Sequence, residues 1–206
     1  METLKSFLPI LISLVIIMDP FGNLSFFILF TKESTVKQQS RMAAIACTLA
    51  CIILIFFGLT GDFILRFFGI GLPAFQLAGG FILFVYAMQM LRLIPSGIKT
   101  SAEEEREGVI KENAALVPLA VPLLAGPGAI TSVLVWQQHP DNPVNSCLLA
   151  ATIIIACFIV YLVFRFAALI SRIMGVGGIR VTTRLMGLLL AVIAVQFMVN
   201  GLHQIQ

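Results

Sequence analysis

The chain of 206 residues is 59% hydrophobic and only 11% charged, and its mean hydropathy is +1.04. Soluble domains carry about 25% charged residues, so this composition excludes a soluble fold and predicts an integral membrane protein. The net charge of +3 is too small and dispersed for nucleic-acid binding, and the four cysteines lie in apolar runs without metal or redox spacing.

Six segments are long enough to cross a membrane as helices, because a hydrocarbon layer of ~30 Å requires about 20 residues with few charges. In chain order they are Ser6–Thr31, Met42–Gly61, Phe67–Leu91, Asn113–Pro140, Asn142–Phe164 and Leu185–Gln206. Only the first contains a charge, Asp19, and it lacks a small-residue cleavage site, so we interpret it as a permanent span. We predict an all-α integral membrane protein with a single membrane domain over residues 1–206.

Basic residues predict the orientation of these spans. The loops after spans one, three and five hold 11 of the 13 Lys and Arg residues, and only Lys5 and Arg66 lie on the other side. Cytoplasmic loops collect Lys and Arg, so we predict that these loops are cytoplasmic and that both termini are periplasmic. Residues 96–113 are interpreted as a solvated cytoplasmic linker between two halves of the chain.

The two halves resemble each other at a shift of 106–107 residues, which predicts a repeat. Two equivalent segments are Arg66-Phe-Phe-Gly-Ile-Gly71 and Arg172-Ile-Met-Gly-Val-Gly177, both interpreted as turns at span ends. The other matches place Pro20, Cys51, Gly80, Ala87 and Gln89 on Pro127, Cys157, Gly187, Ala194 and Gln196. We infer a duplicated three-span unit, with repeat one over residues 1–95 and repeat two over residues 114–206. Three is an odd number, so the second repeat enters the membrane from the opposite side, as in many secondary transporters.

Spans one and four are each interrupted near mid-depth, at equivalent positions of the two repeats. The interruptions are Asp19-Pro-Phe-Gly-Asn23 and Pro122-Leu-Leu-Ala-Gly-Pro-Gly128. In each, the residue before the central proline is typical of a helix N-cap, and the proline is typical of a first helical position. Proline cannot donate to the preceding turn, so we predict that the carbonyls of Ile16 and Leu123 are left free. Exposed backbone at this depth is tolerated only if it is buried in protein or lines a wet cavity.

These two interruptions form the predicted substrate site. Two half-helix N-termini suit a carboxylate, whereas Asp19 and the freed carbonyls suit an ammonium group, and together they describe a small zwitterionic amino acid. The predicted binding residues are Asp19, Pro20, Gly22, Asn23, Gly126, Pro127, Gly128 and Thr131. A charged residue within a span indicates function. The alternative is that Pro and Gly only kink the helices and allow them to pack closely.

Other polar features leave three classes of function open. No nucleophile–base pair, zinc spacing or phosphate loop occurs in the sequence, so we predict neither an enzyme nor a metal or cofactor site. Gln89 and Gln196 are expected to line a cavity or to form interhelical hydrogen bonds. The candidate functions are a secondary transporter, a channel or exporter for other small polar solutes, and a scaffold or sensor in the lipid membrane that transports nothing.

The segments DPFGN and VPLAVPLLAGPGAIT, together with RLMGLLL in span six, resemble the MarC family, also called the six-span neutral amino acid transporter family. The resemblance covers essentially the whole chain. It implies a multi-pass protein of the prokaryotic inner membrane that takes up small neutral amino acids such as glycine and alanine. It also assigns the site to the eight residues already named. Coupling to protons or to another ion, and assembly into a homo-oligomer, stay open at this point.

Overall fold

The computed structural model describes residues 2–31, 34–93, 124–137 and 146–205, and over these ranges the chain is helical and contains no strand. The helices are α1 (Glu2–Met18), α2 (Pro20–Thr31), α3 (Val36–Phe67), α4 (Leu72–Met90), α5 (Pro127–Gln137), α6 (Ser146–Arg165) and α7 (Ala167–Ile205). The predicted all-helical class is therefore confirmed for the described part of the chain.

Five stretches of these helices are long and apolar enough to cross a membrane. They are Phe7–Leu24, Val36–Phe67, Leu72–Met90, Ser146–Arg165 and Gly177–Ile205. They correspond to the predicted spans one, two, three, five and six. The first half of predicted span four and the linker 96–113 lie outside the described residues. Large apolar side chains such as Phe63 and Phe67 are 72% and 74% exposed, as expected for a surface that faces lipid.

Local sequence signals set the ends of α3. Its first turn has a capping box, in which the Gln38 amide nitrogen donates to Thr35 Oγ1 and the Thr35 amide nitrogen donates to Gln38 Oε1. Past its last turn Gly69 has a φ of 65°, a left-handed conformation that glycine adopts without steric cost. Gly175, the equivalent glycine of the sequence repeat, has a φ of 61° and interrupts the helical backbone within α7. Both Arg-x-x-Gly-x-Gly segments thus contain a left-handed turn residue.

The helices pack mainly in two long pairs, with α4 along α7 and α3 along α6, while α5 lies against α4, α3 and α1. Small side chains allow the close approach of α3 and α6, and Ala46, Ala50 and Ala156 are fully buried. The short helix α2 lies against α7 and α6, where Phe27 stacks on Phe164 with a centroid distance of 4.7 Å. The two short helices α2 and α5 are therefore enclosed by the longer ones.

The contact between α4 and α7 is reciprocal. A Cβ atom at Gly80 would lie 2.9 Å from the carbonyl oxygen of Ala194, and a Cβ atom at Gly187 would lie 3.4 Å from the carbonyl oxygen of Ala87. Gly80 and Gly187 are equivalent in the sequence repeat, as are Ala87 and Ala194. In each helix, therefore, the repeat-equivalent glycine faces the carbonyl oxygen of the repeat-equivalent alanine in the other helix.

Candidate functional site

The junction between α1 and α2 consists of one residue, Asp19. Its φ of 44° is left-handed, a region in which Asp and Asn are more frequent than other non-glycine residues. Asp19 is fully buried, and its Oδ1 accepts a hydrogen bond of 3.0 Å from the amide nitrogen of Gly22. The side chain therefore caps the first turn of α2, and Pro20 at the start of that helix has no amide hydrogen to satisfy.

The second carboxylate oxygen of Asp19, Oδ2, is buried and has no hydrogen-bond partner within the described part of the chain. Leaving a buried polar atom unsatisfied costs about 1–3 kcal/mol, and more for a charged group. Such an atom at a helix junction in the middle of the bundle is suited to a ligand that can donate a hydrogen bond.

The Ile16 carbonyl at the end of α1 accepts a hydrogen bond, which corrects one expectation from the sequence. The amide nitrogen of Asp19 lies 3.1 Å from the carbonyl oxygens of both Val15 and Ile16. The Asn23 side-chain amide donates to the carbonyl oxygen of Met18 at 2.9 Å. The prediction that proline leaves the Ile16 carbonyl unpaired was wrong, because the last turn of α1 tightens and shares one donor between two acceptors. Asp19 Oδ2 is a side-chain acceptor without a partner among the described residues, and Leu123, whose carbonyl was also expected to be free, lies outside them.

Gly22 is required by close packing around the carboxylate. A Cβ atom at this position would overlap Asp19 Oδ2 and the terminal methyl group of Met90, and would lie 2.8 Å from Asp19 Cγ. Met90 belongs to α4, so the third span of the repeat closes over the first turn of α2. A side chain of any size at position 22 would displace the carboxylate.

Tyr86 of α4 is a site residue that the sequence analysis missed. Its hydroxyl donates a hydrogen bond of 2.8 Å to Asn23 Oδ1, and Asn23 is fully buried. The hydrogen bonds from Tyr86 to Asn23 and from Asn23 to Met18 therefore connect α4 to both α2 and α1. A tyrosine hydroxyl within an apolar span is the signal that could have revealed it, since buried Tyr hydroxyls find hydrogen-bond partners.

The described part of predicted span four consists of residues 124–137, in which α5 begins at Pro127. Gly126 precedes Pro127, and the Thr131 hydroxyl donates 2.7 Å to the carbonyl oxygen of Pro127. A Cβ atom at Gly128 would lie 3.4 Å from Ile17 Cγ2, so the first turn of α5 packs against the last turn of α1. The two interruptions predicted from the sequence are thus brought close to each other, through residues next to them in the chain.

The eight predicted site residues share this central region of the bundle but differ in exposure. Asp19, Pro20, Gly22, Asn23, Gly126, Gly128 and Thr131 are buried, and Pro127 is exposed. Thr131 packs against α4, because a Cβ atom at Gly79 would overlap its side chain. The Ser132 hydroxyl and Gln76 Oε1 are further buried oxygen atoms without a hydrogen-bond partner among the described residues. No cluster of metal-binding side chains occurs in those residues.

Replacing Tyr86 with phenylalanine is expected to lower the free energy of unfolding by about 1 kcal/mol, because it removes one buried hydrogen bond to Asn23. The change should also loosen the first turn of α2, since Asn23 and Asp19 are held in the same turn. Thermal unfolding in detergent measures the loss of stability. Tyr161→Phe is the matched control, because the Tyr161 hydroxyl lies 3.5 Å from Ser40 Oγ, and neither residue belongs to the candidate site. Equal behaviour of the two variants would contradict a role for Tyr86.

A family model described as "MarC family integral membrane protein" matches residues 4–206. A UPF0056 membrane protein of Aquifex aeolicus is 37% identical over 97% of this chain and 93% of its own length. The UPF0056 membrane protein YhcE of Escherichia coli is 34% identical over 94% of this chain and 90% of its own. No solved structure matches the chain.

Proposed function

This chain belongs to the MarC family of integral membrane proteins, as its sequence indicated, and we propose that it is a secondary transporter of small neutral amino acids such as glycine or alanine. It works by alternating access across the inner membrane, and protons or another ion drive it. The observation that carries the proposal is the buried carboxylate of Asp19, which lies between α1 and α2 and whose Oδ2 has no hydrogen-bond partner among the described residues. Charged residues within membrane spans commonly mark substrate or ion pathways.

The two interruptions have different roles in binding. Asp19 Oδ1 already accepts from the Gly22 amide, so the start of α2 is capped by the protein itself. Asp19 Oδ2 is left to accept from the ammonium group of the substrate. The start of α5 is preceded by Gly126, which has no side chain to cap the first amides, so these amides bind the substrate carboxylate. This asymmetry gives one cationic and one anionic subsite, as a zwitterion requires.

The size of the substrate follows from the packing around both subsites. Gly22 and Gly128 have no space for a Cβ atom, because Met90, Leu83 and Ile17 lie against them. These residues leave no room for a large ligand side chain between α1, α4 and α5. Glycine and alanine are therefore favoured over branched or aromatic amino acids.

The architecture that supports alternating access is a pair of inverted three-span repeats. The reciprocal contacts Gly80–Ala194 and Gly187–Ala87 are what a two-fold relation between spans three and six would produce. The left-handed glycines Gly69 and Gly175 occupy equivalent positions in the sequence. Such repeats rock against each other around a site at the membrane midplane, where their interrupted helices meet.

Uptake into proteoliposomes tests the function. Purified protein is reconstituted and supplied with radiolabelled glycine, alanine, leucine or glutamate, with and without an imposed pH or sodium gradient. A transporter of the proposed kind concentrates glycine and alanine only when a gradient is present. Equilibration without concentration would indicate a channel, and absence of flux for every solute would favour a scaffold.

Topology tags test the proposed orientation. Reporter enzymes fused at either terminus should be active outside the cytoplasm, and a tag beside the exposed Lys37 should report the cytoplasm. The expectation depends on the three basic loops, which hold 11 of 13 basic residues. Cytoplasmic termini would reverse the assignment and the side from which each repeat enters.

A further inference from the structure

A polar pair lies on the outer surface of α7, away from the site. Gln196 Nε2 donates a hydrogen bond of 2.6 Å to Asn200 Oδ1, and both side chains are exposed. The expected interhelical hydrogen bond of Gln196 is not found among the described residues, because its side-chain hydrogen bond stays within α7. Its partner is one turn away on the same helix.

Gln196 lies within Gly177–Ile205, the last of the stretches that are long and apolar enough to cross a membrane. At a rise of 1.5 Å per residue it is about 18 Å from Arg184 and about 10 Å from His203 along α7. Lipid tails offer no hydrogen-bond partners there, and an amide has two donor hydrogens and two acceptor sites. One mutual bond leaves donors and acceptors of both side chains unsatisfied if lipid alone covers this face.

The residues around Gln196 are arranged as a helix–helix seam. Exposed side chains recur at alternating intervals of four and three residues, the spacing of a left-handed helix pair. We call this set the α7 seam, and its members are Leu185, Leu189, Val192, Gln196, Val199 and His203. Val192 is 62% exposed and Val199 is 41% exposed, so the side chains next to Gln196 are short and let a second helix approach. One polar residue in an apolar seam fixes the register of two helices.

We propose that the α7 seam is the interface of a parallel homodimer, in which the Gln196 side chains of two copies hydrogen-bond to each other across a two-fold axis normal to the membrane. A second copy fits this surface because two identical helices share one orientation in the membrane. An amide is self-complementary, since its donor meets the acceptor of its twin. Buried interhelical amide contacts of this kind associate membrane helices.

Dimerisation is measured by fluorescence energy transfer between donor- and acceptor-labelled full-length protein in lipid vesicles at decreasing protein-to-lipid ratio. Gln196→Leu should raise the dimer dissociation constant roughly tenfold, since each of two symmetric contacts contributes about threefold. Gln204→Leu is the matched control, because Gln204 is exposed on the same helix but lies outside the seam, and should leave the constant unchanged. An unchanged constant in Gln196→Leu, or a monomer at every ratio, overturns the proposal.

Cross-linking locates the interface independently of the Gln196 variant. In full-length protein with the four native cysteines replaced, Val199→Cys should give a covalent dimer on oxidation in membranes. Ile154→Cys, which places a thiol on the exposed face of α6, should not. Cross-linking at position 154 but not at 199 assigns the contact to another face and refutes the seam. Neither measurement depends on transport, so their failure leaves the proposed function untouched.

Discussion

Replacing Gly22 with alanine is expected to abolish amino acid uptake while the protein still inserts into the membrane. The added methyl group would overlap Asp19 Oδ2 and the end of Met90, so the carboxylate must leave its place. Losing one partner of a buried charged contact lowers affinity by about 30-fold or more, and overpacking costs a further 1–3 kcal/mol or so of stability. Uptake into proteoliposomes and thermal unfolding separate the two effects.

Gly177→Ala is the matched control for this variant. Gly177 begins the last of the five candidate membrane stretches, and a Cβ atom there would meet no described atom within 4 Å. The same glycine-to-alanine change should therefore leave uptake at the wild-type rate. Full activity in Gly22→Ala would place the substrate away from Asp19 and contradict the assignment of the ammonium subsite.

Replacing Asp19 with asparagine should separate binding from energy coupling. Asparagine can accept the Gly22 amide hydrogen bond and tolerates the φ of 44°, so the junction between α1 and α2 should keep its shape. It cannot take up or release a proton, whereas acidic residues within membrane spans commonly serve as proton relays. We expect exchange of amino acid across the membrane to persist, and accumulation driven by a pH gradient to be lost.

Asp19→Ala provides the comparison for that result. Alanine removes the cap of α2, at a cost of about 1 kcal/mol, and is strained in the left-handed region by roughly another 1–2 kcal/mol. This variant should therefore unfold at lower temperature and lose exchange as well as accumulation. If Asp19→Asn concentrates substrate as well as the wild type, Asp19 is a structural cap and the coupling group lies elsewhere.

Five apolar spans and the helix starts at Pro20 and Pro127 were predictable from the sequence. Long apolar windows with few charges predict membrane helices because an unpaired charge in lipid is costly, and each of the five candidate spans in the described residues overlaps such a window. Helices α2 and α5 begin at Pro20 and Pro127 because proline, which has no amide hydrogen, is favoured at the first position of a helix. These are local properties of the chain, so no knowledge of neighbouring helices was needed.

The hydrogen-bond partners of the buried polar atoms, by contrast, depend on how distant helices pack against each other. Tyr86 reaches Asn23 across 63 residues of sequence, and Met90 closes over Gly22, because α4 packs against the interrupted span. The two carboxylate oxygens of Asp19 differ because the Gly22 amide donates to Oδ1, whereas Oδ2 has no hydrogen-bond partner among the described residues. The exposure of Gln196 likewise depends on which face of α7 packs against α4. Such contacts join residues that are far apart in the sequence and meet only when the helices pack. The partner of each polar atom could therefore not be predicted from its position in the chain.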